Sequence, residues 1–362
     1  MPADHNFPTD RTTLTRLLFP AGVPILWSPT LVFYDEAGRI DRGHQLAHLA
    51  FMTPHVKGYL VPGSTGDAWE MDDAEALAAL EVTIPFAVQH GLDLLVGVLR
   101  PTTGAMHALI DKVLNDLCRR AGTHSIADAF AASRVRGLTI AAPTTDTPLS
   151  QDAISAALAP VFELGLPIAL YQLPQVTGNT MTPELVAGLA ERFPNLLLFK
   201  DSSGTDEVAL SGRMPAGVTL LRGAEGDYAQ WSKAHGGAYD GFLLSTANAF
   251  PAQLASVLEH LQYGRVAEAE RCSAAISAAV ADAFAAVVEV RQGNAFTNAN
   301  KALAHIMAYG RDALEAPPPR LHAGSHLPHS ILKVVMESLT HHGLLPERGY
   351  LENRSGGLSR WA

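Results

Sequence analysis

Eight short apolar runs recur along the first 250 positions, separated by longer segments with helical spacing. The runs predict strands at 23–28 (VPILWS), 58–62 (GYLVP), 94–99 (LLVGVL), 136–141 (RGLTIA), 167–171 (PIALY), 196–200 (LLLFK), 218–222 (VTLLR) and 240–245 (DGFLLS). They are nearly continuous rather than alternating, as a parallel sheet covered on both faces requires. The intervening Ala/Leu-rich segments, such as 72–90 and 182–192, carry helical periodicity. The second opens on Thr182-Pro183-Glu184, an N-cap followed by proline at the first helical position. Eight strand–helix units in succession predict an α/β fold, a closed (β/α)8 TIM barrel. A doubly wound sheet is the rival, but no GxGxxG follows the first strand. From 251 to 315 the pattern is wholly helical. A break at Ala316-Pro317-Pro318-Pro319 follows, then one more helix at 329–340. The expected division is a catalytic barrel at 1–250, a helical extension at 251–342 and a loosely ordered tail at 343–362.

Length and composition agree with one barrel plus an extension. The chain has 362 residues, against about 250 for a typical barrel. Apolar residues make up 48%, enough for a large core. The net charge of −10 disfavours nucleic acid as a partner, because phosphate binding wants a basic face. The two cysteines, Cys118 and Cys272, fall in helical segments and read as buried reduced thiols. The first residues, MPADHNFPTDR, show no apolar signal region, and no stretch approaches 18 uninterrupted apolar residues. A cytoplasmic location is the expectation.

In a (β/α)8 barrel the chemistry sits at the C-terminal ends of the strands, and three of the predicted ends carry reactive groups. The sixth ends in Lys200 after Leu196 to Phe199. Withdrawing an amine from water disfavours its ammonium form, and a neutral amine can attack a carbonyl to form an imine. The fifth ends in Tyr171, one repeat earlier, and a phenol beside an imine can relay protons. The second ends in Gly63-Ser64-Thr65-Gly66, where glycines let backbone N–H groups turn toward an anion such as a carboxylate. Singly, each has an ordinary reading: a lysine snorkelling at a strand end, a tyrosine capping a barrel, a polar turn. Their conjunction at one barrel mouth points to chemistry.

At these residues the sequence resembles the family of dihydrodipicolinate synthase and N-acetylneuraminate lyase. GSTGD at 63–67 looks like the family's GTTGE loop. Tyr171-Gln-Leu-Pro-Gln-Val-Thr-Gly178 looks like its YxxPxxTG segment, and Phe199-Lys200-Asp201-Ser202-Ser203-Gly204 like the segment around its imine lysine. Ser245-Thr246-Ala247-Asn248 is a weaker match. The resemblance runs from about 22 to 310. It implies an imine on Lys200, proton relay by Tyr171, and a keto-acid carboxylate held by Ser64 and Thr65. It also implies a site lined by the main-chain carbonyl of Leu243, no metal or organic cofactor, and a homo-oligomer, dimer or tetramer. Two positions depart from the family. Ala142-Pro143-Thr144-Thr145-Asp146 lacks the tyrosine that many members send into a neighbouring subunit, so the relay would end at Thr145 or water. Val176 stands where the synthases carry an arginine for an amino-dicarboxylic substrate. Both argue against lysine-pathway synthase activity.

Other candidates belong to the rim. Arg100 follows the third strand and could enter the mouth. Glu225 follows the seventh and could accept hydrogen bonds from substrate hydroxyls. Either could equally be a salt-bridged rim charge. His44 and His48, spaced i, i+4, have no evident third ligand for a metal. The leading expectation is a lyase that cleaves or forms a 2-keto acid by a reversible aldol reaction with a pyruvate-type donor. The alternatives are dehydration of a 2-keto-3-deoxy sugar acid through the same imine, and a non-catalytic keto-acid-binding barrel.

Overall fold

The structure, a computed structural model, describes residues 7–351. Its strands are β1 (Leu26–Pro29), β2 (Gly58–Val61), β3 (Asp93–Gly97), β4 (Val135–Ala141), β5 (Ile168–Gln172), β6 (Leu196–Asp201), β7 (Thr219–Arg222) and β8 (Gly241–Leu243). Each pairs in parallel with the next, and β8 pairs with β1, so the sheet is a closed barrel. All eight apolar runs become strands, within a few residues of their expected limits. The expected helices form as well, Asp73–His90 behind a capping box of Asp72 with Glu75, and Pro183–Arg192 behind Thr182.

Alternation along the strands sorts the side chains into two cores. Outward-facing residues such as Val96, Ile140 and Phe199 pack under the surrounding helices. Inward-facing Trp27, Leu60, Leu95, Ala169, Leu198, Leu221 and Leu243 fill the floor of the barrel. A helix at Arg11–Leu18 closes that floor from below with Leu14 and Leu18, and Arg11 Nε donates to Leu196 O at 2.8 Å. The polar chemistry is therefore confined to the layer above, at the strands' C-terminal rim.

The helix Pro251–Gln262 follows β8 as the eighth barrel helix, although the pattern assigned it to the extension. The extension proper contains Val266–Ala286, Ala295–Tyr309 and His329–His341. The expectation of a loose tail needs correction up to residue 351. There the Tyr350 and Leu351 N–H groups donate to the carbonyls of Met307 and Ala308 at 3.2 and 3.0 Å. Tyr350 also stacks on Phe51, with ring centroids 4.7 Å apart. Residues 352–362, and the first six on which the signal-region reading partly rests, lie outside the described residues. Cys118 and Cys272 are free thiols, half-exposed rather than buried. No described helix is long and apolar enough to cross a membrane.

Candidate active site

Register brings the two central residues together. Tyr171 on β5 is the pairing partner of Lys200 on β6, and both side chains point inward because each stands two residues beyond a floor residue. Both are buried, with 3% and 4% of their surface exposed. Lys200 Nζ lies 3.9 Å from the centroid of the Tyr171 ring, within cation–π range. Among the described residues Lys200 forms no ion pair. Gly223, just beyond β7, leaves room for the lysine: a Cβ there would stand 2.6 Å from Lys200 Cε. On the other face of β6, Asp201 accepts from Ser203 N at 2.9 Å, and burial raises its carboxyl above the usual range. Next to it, Arg222 and Asp206 form a buried two-point ion pair at 3.0 and 3.1 Å. These bonds stiffen the strand that carries the lysine.

The loop after β2 forms a single 3-10 turn, Ser64–Gly66, behind an extended Gly63. The first N–H groups of such a turn have no partner inside it. Gly66 is required because a Cβ would collide with the carbonyl of Thr30. Ser64 and Thr65 are both buried. The Trp69 indole N–H donates to Ser64 Oγ at 2.8 Å, so the Ser64 hydroxyl hydrogen is left to donate elsewhere.

The extension holds this loop from above. Thr297 Oγ1 and Asn294 Nδ2 donate to the carbonyl of Ser64 at 3.1 and 3.2 Å. Asp67, in the left-handed region at φ 61°, accepts from Lys301 Nζ at 3.1 Å and from Tyr34 Oη at 3.0 Å. Burial lowers the Lys301 ammonium's pKa, opposed by Asp67; it raises the Tyr34 phenol's, and there Asp67 adds to the effect.

Two rim expectations, those for Arg100 and Glu225, are corrected. Arg100 does not enter the mouth. Its guanidinium turns back to Asp73 Oδ1 at 3.0 and 3.1 Å and to the carbonyls of Ala68 and Leu99, both at 2.9 Å. It therefore braces the loop from behind. Glu225 is not free for substrate hydroxyls, since its carboxylate accepts from Ser245 Oγ, Thr246 Oγ1, Thr246 N and Tyr228 Oη at 2.5, 2.5, 3.1 and 3.0 Å. It ties the β7 and β8 loops together instead. Thr145 is tethered to the β5 loop: its N–H donates to Thr177 O at 3.1 Å, and its hydroxyl oxygen accepts from Asn179 Nδ2 at 2.8 Å. Leu243 contributes its side chain to the floor.

His44 and His48 are engaged with aromatic and amide partners. His44 stacks on Phe33 at 3.8 Å, and His48 lies between Asn248 Oδ1 at 2.9 Å and Tyr350 Oη at 3.0 Å. Among the described residues no three His, Cys, Asp or Glu side chains gather as metal ligands.

Sequence reasoning missed Trp69, Phe296 and Lys301. Phe296 and Trp69 pack with Val176 against Leu99, Ala141, Tyr171 and Leu173, yet an aromatic after a loop or in the first turn of a helix has no signature of its own. Lys301 left a clue. It sits among Asn298, Asn300 and His305 on a helix whose residues 297–308 are all buried, and buried polar groups need partners.

Fold and site first define a class, a (β/α)8 enzyme with its polar groups at the strand C-termini. A family model described as "Dihydrodipicolinate synthetase family" matches residues 147–295. A relative from Emericella nidulans, named "Probable 4-hydroxy-2-oxoglutarate aldolase, mitochondrial", is 25% identical over 71% of this chain and 79% of its own. A 4-hydroxy-tetrahydrodipicolinate synthase from Rhizobium meliloti is 26% identical over 70% of this chain and 78% of its own. Among solved structures, an E. coli K12 prophage protein of the dihydrodipicolinic acid synthase family, in complex with pyruvate, matches with a TM-score of 0.67. It is 18% identical, and the match covers 89% of this chain and 99% of that one. A variant of Sulfolobus solfataricus 2-keto-3-deoxygluconate aldolase also matches at 0.67, 13% identical, over 88% and 96%. Over residues 147–295 the chain is thus similar to the dihydrodipicolinate synthetase family.

Proposed function

We propose that the chain catalyses reversible aldol cleavage and condensation of a 2-keto acid through an imine on Lys200. The observation that carries this reading is the buried Lys200 amine 3.9 Å from the centre of the Tyr171 ring, with no carboxylate paired to it among the described residues. The amine adds to the C2 carbonyl, and water leaves with the carbonyl oxygen. The resulting iminium is an electron sink. When the C3–C4 bond breaks, its electron pair moves into the enamine, while the proton of the C4 hydroxyl passes to a base as the aldehyde forms. In this reading Tyr171 receives that proton and returns one to C3. Water then hydrolyses the imine. The N–H groups of the Ser64–Gly66 turn and the hydroxyls of Ser64 and Thr65 are suited to the keto-acid carboxylate, with the Leu243 carbonyl lining the site.

Lysine-pathway synthase activity is not expected. Val176 supplies no cation, and Arg100 is bound to Asp73. A homo-oligomer, dimer or tetramer, is expected in solution, and light scattering decides that point. The imine itself is tested by adding borohydride with pyruvate and mapping the modified peptide. A stable adduct on Lys200 is the expected result, and an adduct found only elsewhere would overturn the mechanism.

A further inference from the structure

Two adjoining parts of the mouth differ in chemistry. The Ser64–Gly66 turn is polar, whereas the surface beside it is an apolar wall. Trp69, Val176 and Phe296 come from three separate elements: the β2 loop, the short helix Pro174–Thr177 after β5, and the first turn of the helix Ala295–Tyr309. All three pack on the cluster that contains Tyr171 and remain half-exposed. They are thus surface at the mouth and not interior filling. Phe296 is itself held edge-on by Phe284, with ring centroids 5.6 Å apart.

Three charges of the rim are already engaged. Arg100 binds Asp73, Glu225 accepts four hydrogen bonds, and Asp67 binds Lys301 and Tyr34. A carboxylate on a second substrate would lose water against this wall and gain no counter-charge from Arg100, and the carboxylate of Glu70, which accepts from Asn294 Nδ2 at 3.2 Å, carries the same sign. A polyhydroxylated chain would likewise leave hydroxyls unpaired. An aromatic ring has the opposite balance, since it buries apolar area and can meet Trp69 and Phe296 in edge-to-face contact.

We infer that the second substrate of this site is an uncharged aldehyde bearing an aromatic group, held among Trp69, Val176 and Phe296. The inference rests on the imine reading above. In the condensation, C3 of the Lys200 enamine bonds to the aldehyde carbon, and the aldehyde oxygen takes a proton. Hydrolysis then frees Lys200, so pyruvate plus an aryl aldehyde gives a 4-aryl-4-hydroxy-2-oxobutanoate with no other reactant consumed.

The test uses the full chain with saturating pyruvate and a panel of benzaldehyde, glyceraldehyde and aspartate semialdehyde, with products read by mass spectrometry. Benzaldehyde should exceed each of the others in kcat/KM by at least about tenfold, the scale on which apolar pockets discriminate. In Phe296→Ala the benzaldehyde-to-glyceraldehyde ratio should fall about tenfold, mostly through KM, and Phe296→Leu should restore part of it. Val176→Arg, at a half-exposed position, puts a cation in the wall and should move the preference toward aspartate semialdehyde even if Phe296→Ala fails to fold. Preference for glyceraldehyde or aspartate semialdehyde in the unaltered chain overturns the inference, as does a ratio unmoved in every folded variant. Borohydride trapping run in parallel separates the two levels. A Lys200 adduct without aryl preference overturns this inference alone, whereas no Lys200 adduct overturns the imine reading and this inference with it.

Discussion

Two lysines of this molecule are almost equally buried and are placed for opposite purposes. Lys301 is 1% exposed and Lys200 is 4% exposed. Lys301 Nζ reaches the carboxylate of Asp67 at 3.1 Å and the carbonyl of Arg320 at 3.3 Å, and lies 4.6 Å from the Tyr34 ring centroid. Its charge is matched and its donors are used, so its role is to hold the Gly63–Asp67 loop to the extension. Lys200 faces only the ring of Tyr171 among the contacts of this kind, and Gly223 keeps space open beside it. Burial alone therefore does not mark a nucleophile. What separates the two is whether the fold supplies a counter-ion or leaves the amine facing a reaction space.

The widest separation between them should appear on truncation. Lys200→Ala should abolish pyruvate trapping and lower turnover by on the order of 10⁴ or more, the scale of removing a covalent nucleophile. Its stability in denaturant should stay within the range of an ordinary core substitution, because no partner charge is stranded. A variant that kept substantial turnover would dissolve the contrast.

Next in size is the relay. Tyr171→Phe keeps the ring beneath the amine and removes only the hydroxyl. Turnover should fall by about 10²–10⁴, the usual contribution of one acid–base group, with pyruvate trapping slowed but still directed to Lys200. An unchanged rate would assign the proton transfers to another group.

Lys301 should respond in the other currency, stability. Lys301→Met leaves the Asp67 carboxylate buried without its cation, and breaking a buried pair costs about 3–5 kcal/mol. Asp67→Asn added to Lys301→Met should recover much of that loss, because the double variant strands no charge. Chemical denaturation of the unaltered chain, Lys301→Met, Asp67→Asn and the double variant measures the coupling directly. A single variant as stable as the double one would show that the ion pair does not brace the loop.

This contrast was only half legible in the sequence. The strands could be read because their apolar runs are short, continuous and regularly repeated. Lys200 and Tyr171 could be read because each ends such a run with a polar group. The rest depended on distance. Lys301 and Asp67 are separated by 234 positions, and no local pattern links a helix of the extension to a loop of the second strand. Arg100 and Glu225 were placed correctly at strand ends, yet a charge there looks the same whether it points into the mouth or back to a partner. Asp73, on the following helix, and Ser245 and Thr246, beyond the next strand, decide the direction. The helix Arg11–Leu18 was passed over because its eight residues bury only Leu14 and Leu18, too little periodicity to detect.

A third buried basic group extends the comparison to pH. His48 is fully buried, with Nε2 2.9 Å from Asn248 Oδ1 and Nδ1 3.0 Å from Tyr350 Oη. The Asn248 oxygen can only accept, so Nε2 carries the hydrogen and Nδ1 accepts from the tyrosine. Like Lys301 its partners are complete, but they suit the neutral ring. Burial lowers its pKa to about 4, partly opposed by the Asn248 hydrogen bond, against about 6.5 in the unfolded chain. Between these values the unfolded state binds more protons than the folded state, so stability must fall as pH is lowered. The contribution is fully present above pH 6.5 and is lost progressively toward pH 4, by about 3 kcal/mol for a shift of this size. Asn248 also accepts from the Leu31 N–H at 3.0 Å, so the loop after β1 should loosen along with the residues near Tyr350. His48→Gln keeps an amide donor for Asn248 but removes the titration, and should flatten the slope of unfolding free energy between pH 6.5 and 4 while leaving the value at pH 7.5 lower. Equal slopes for the two proteins would mean that His48 is protonated in the folded chain as readily as in the unfolded one, and that its partners do not choose its charge state.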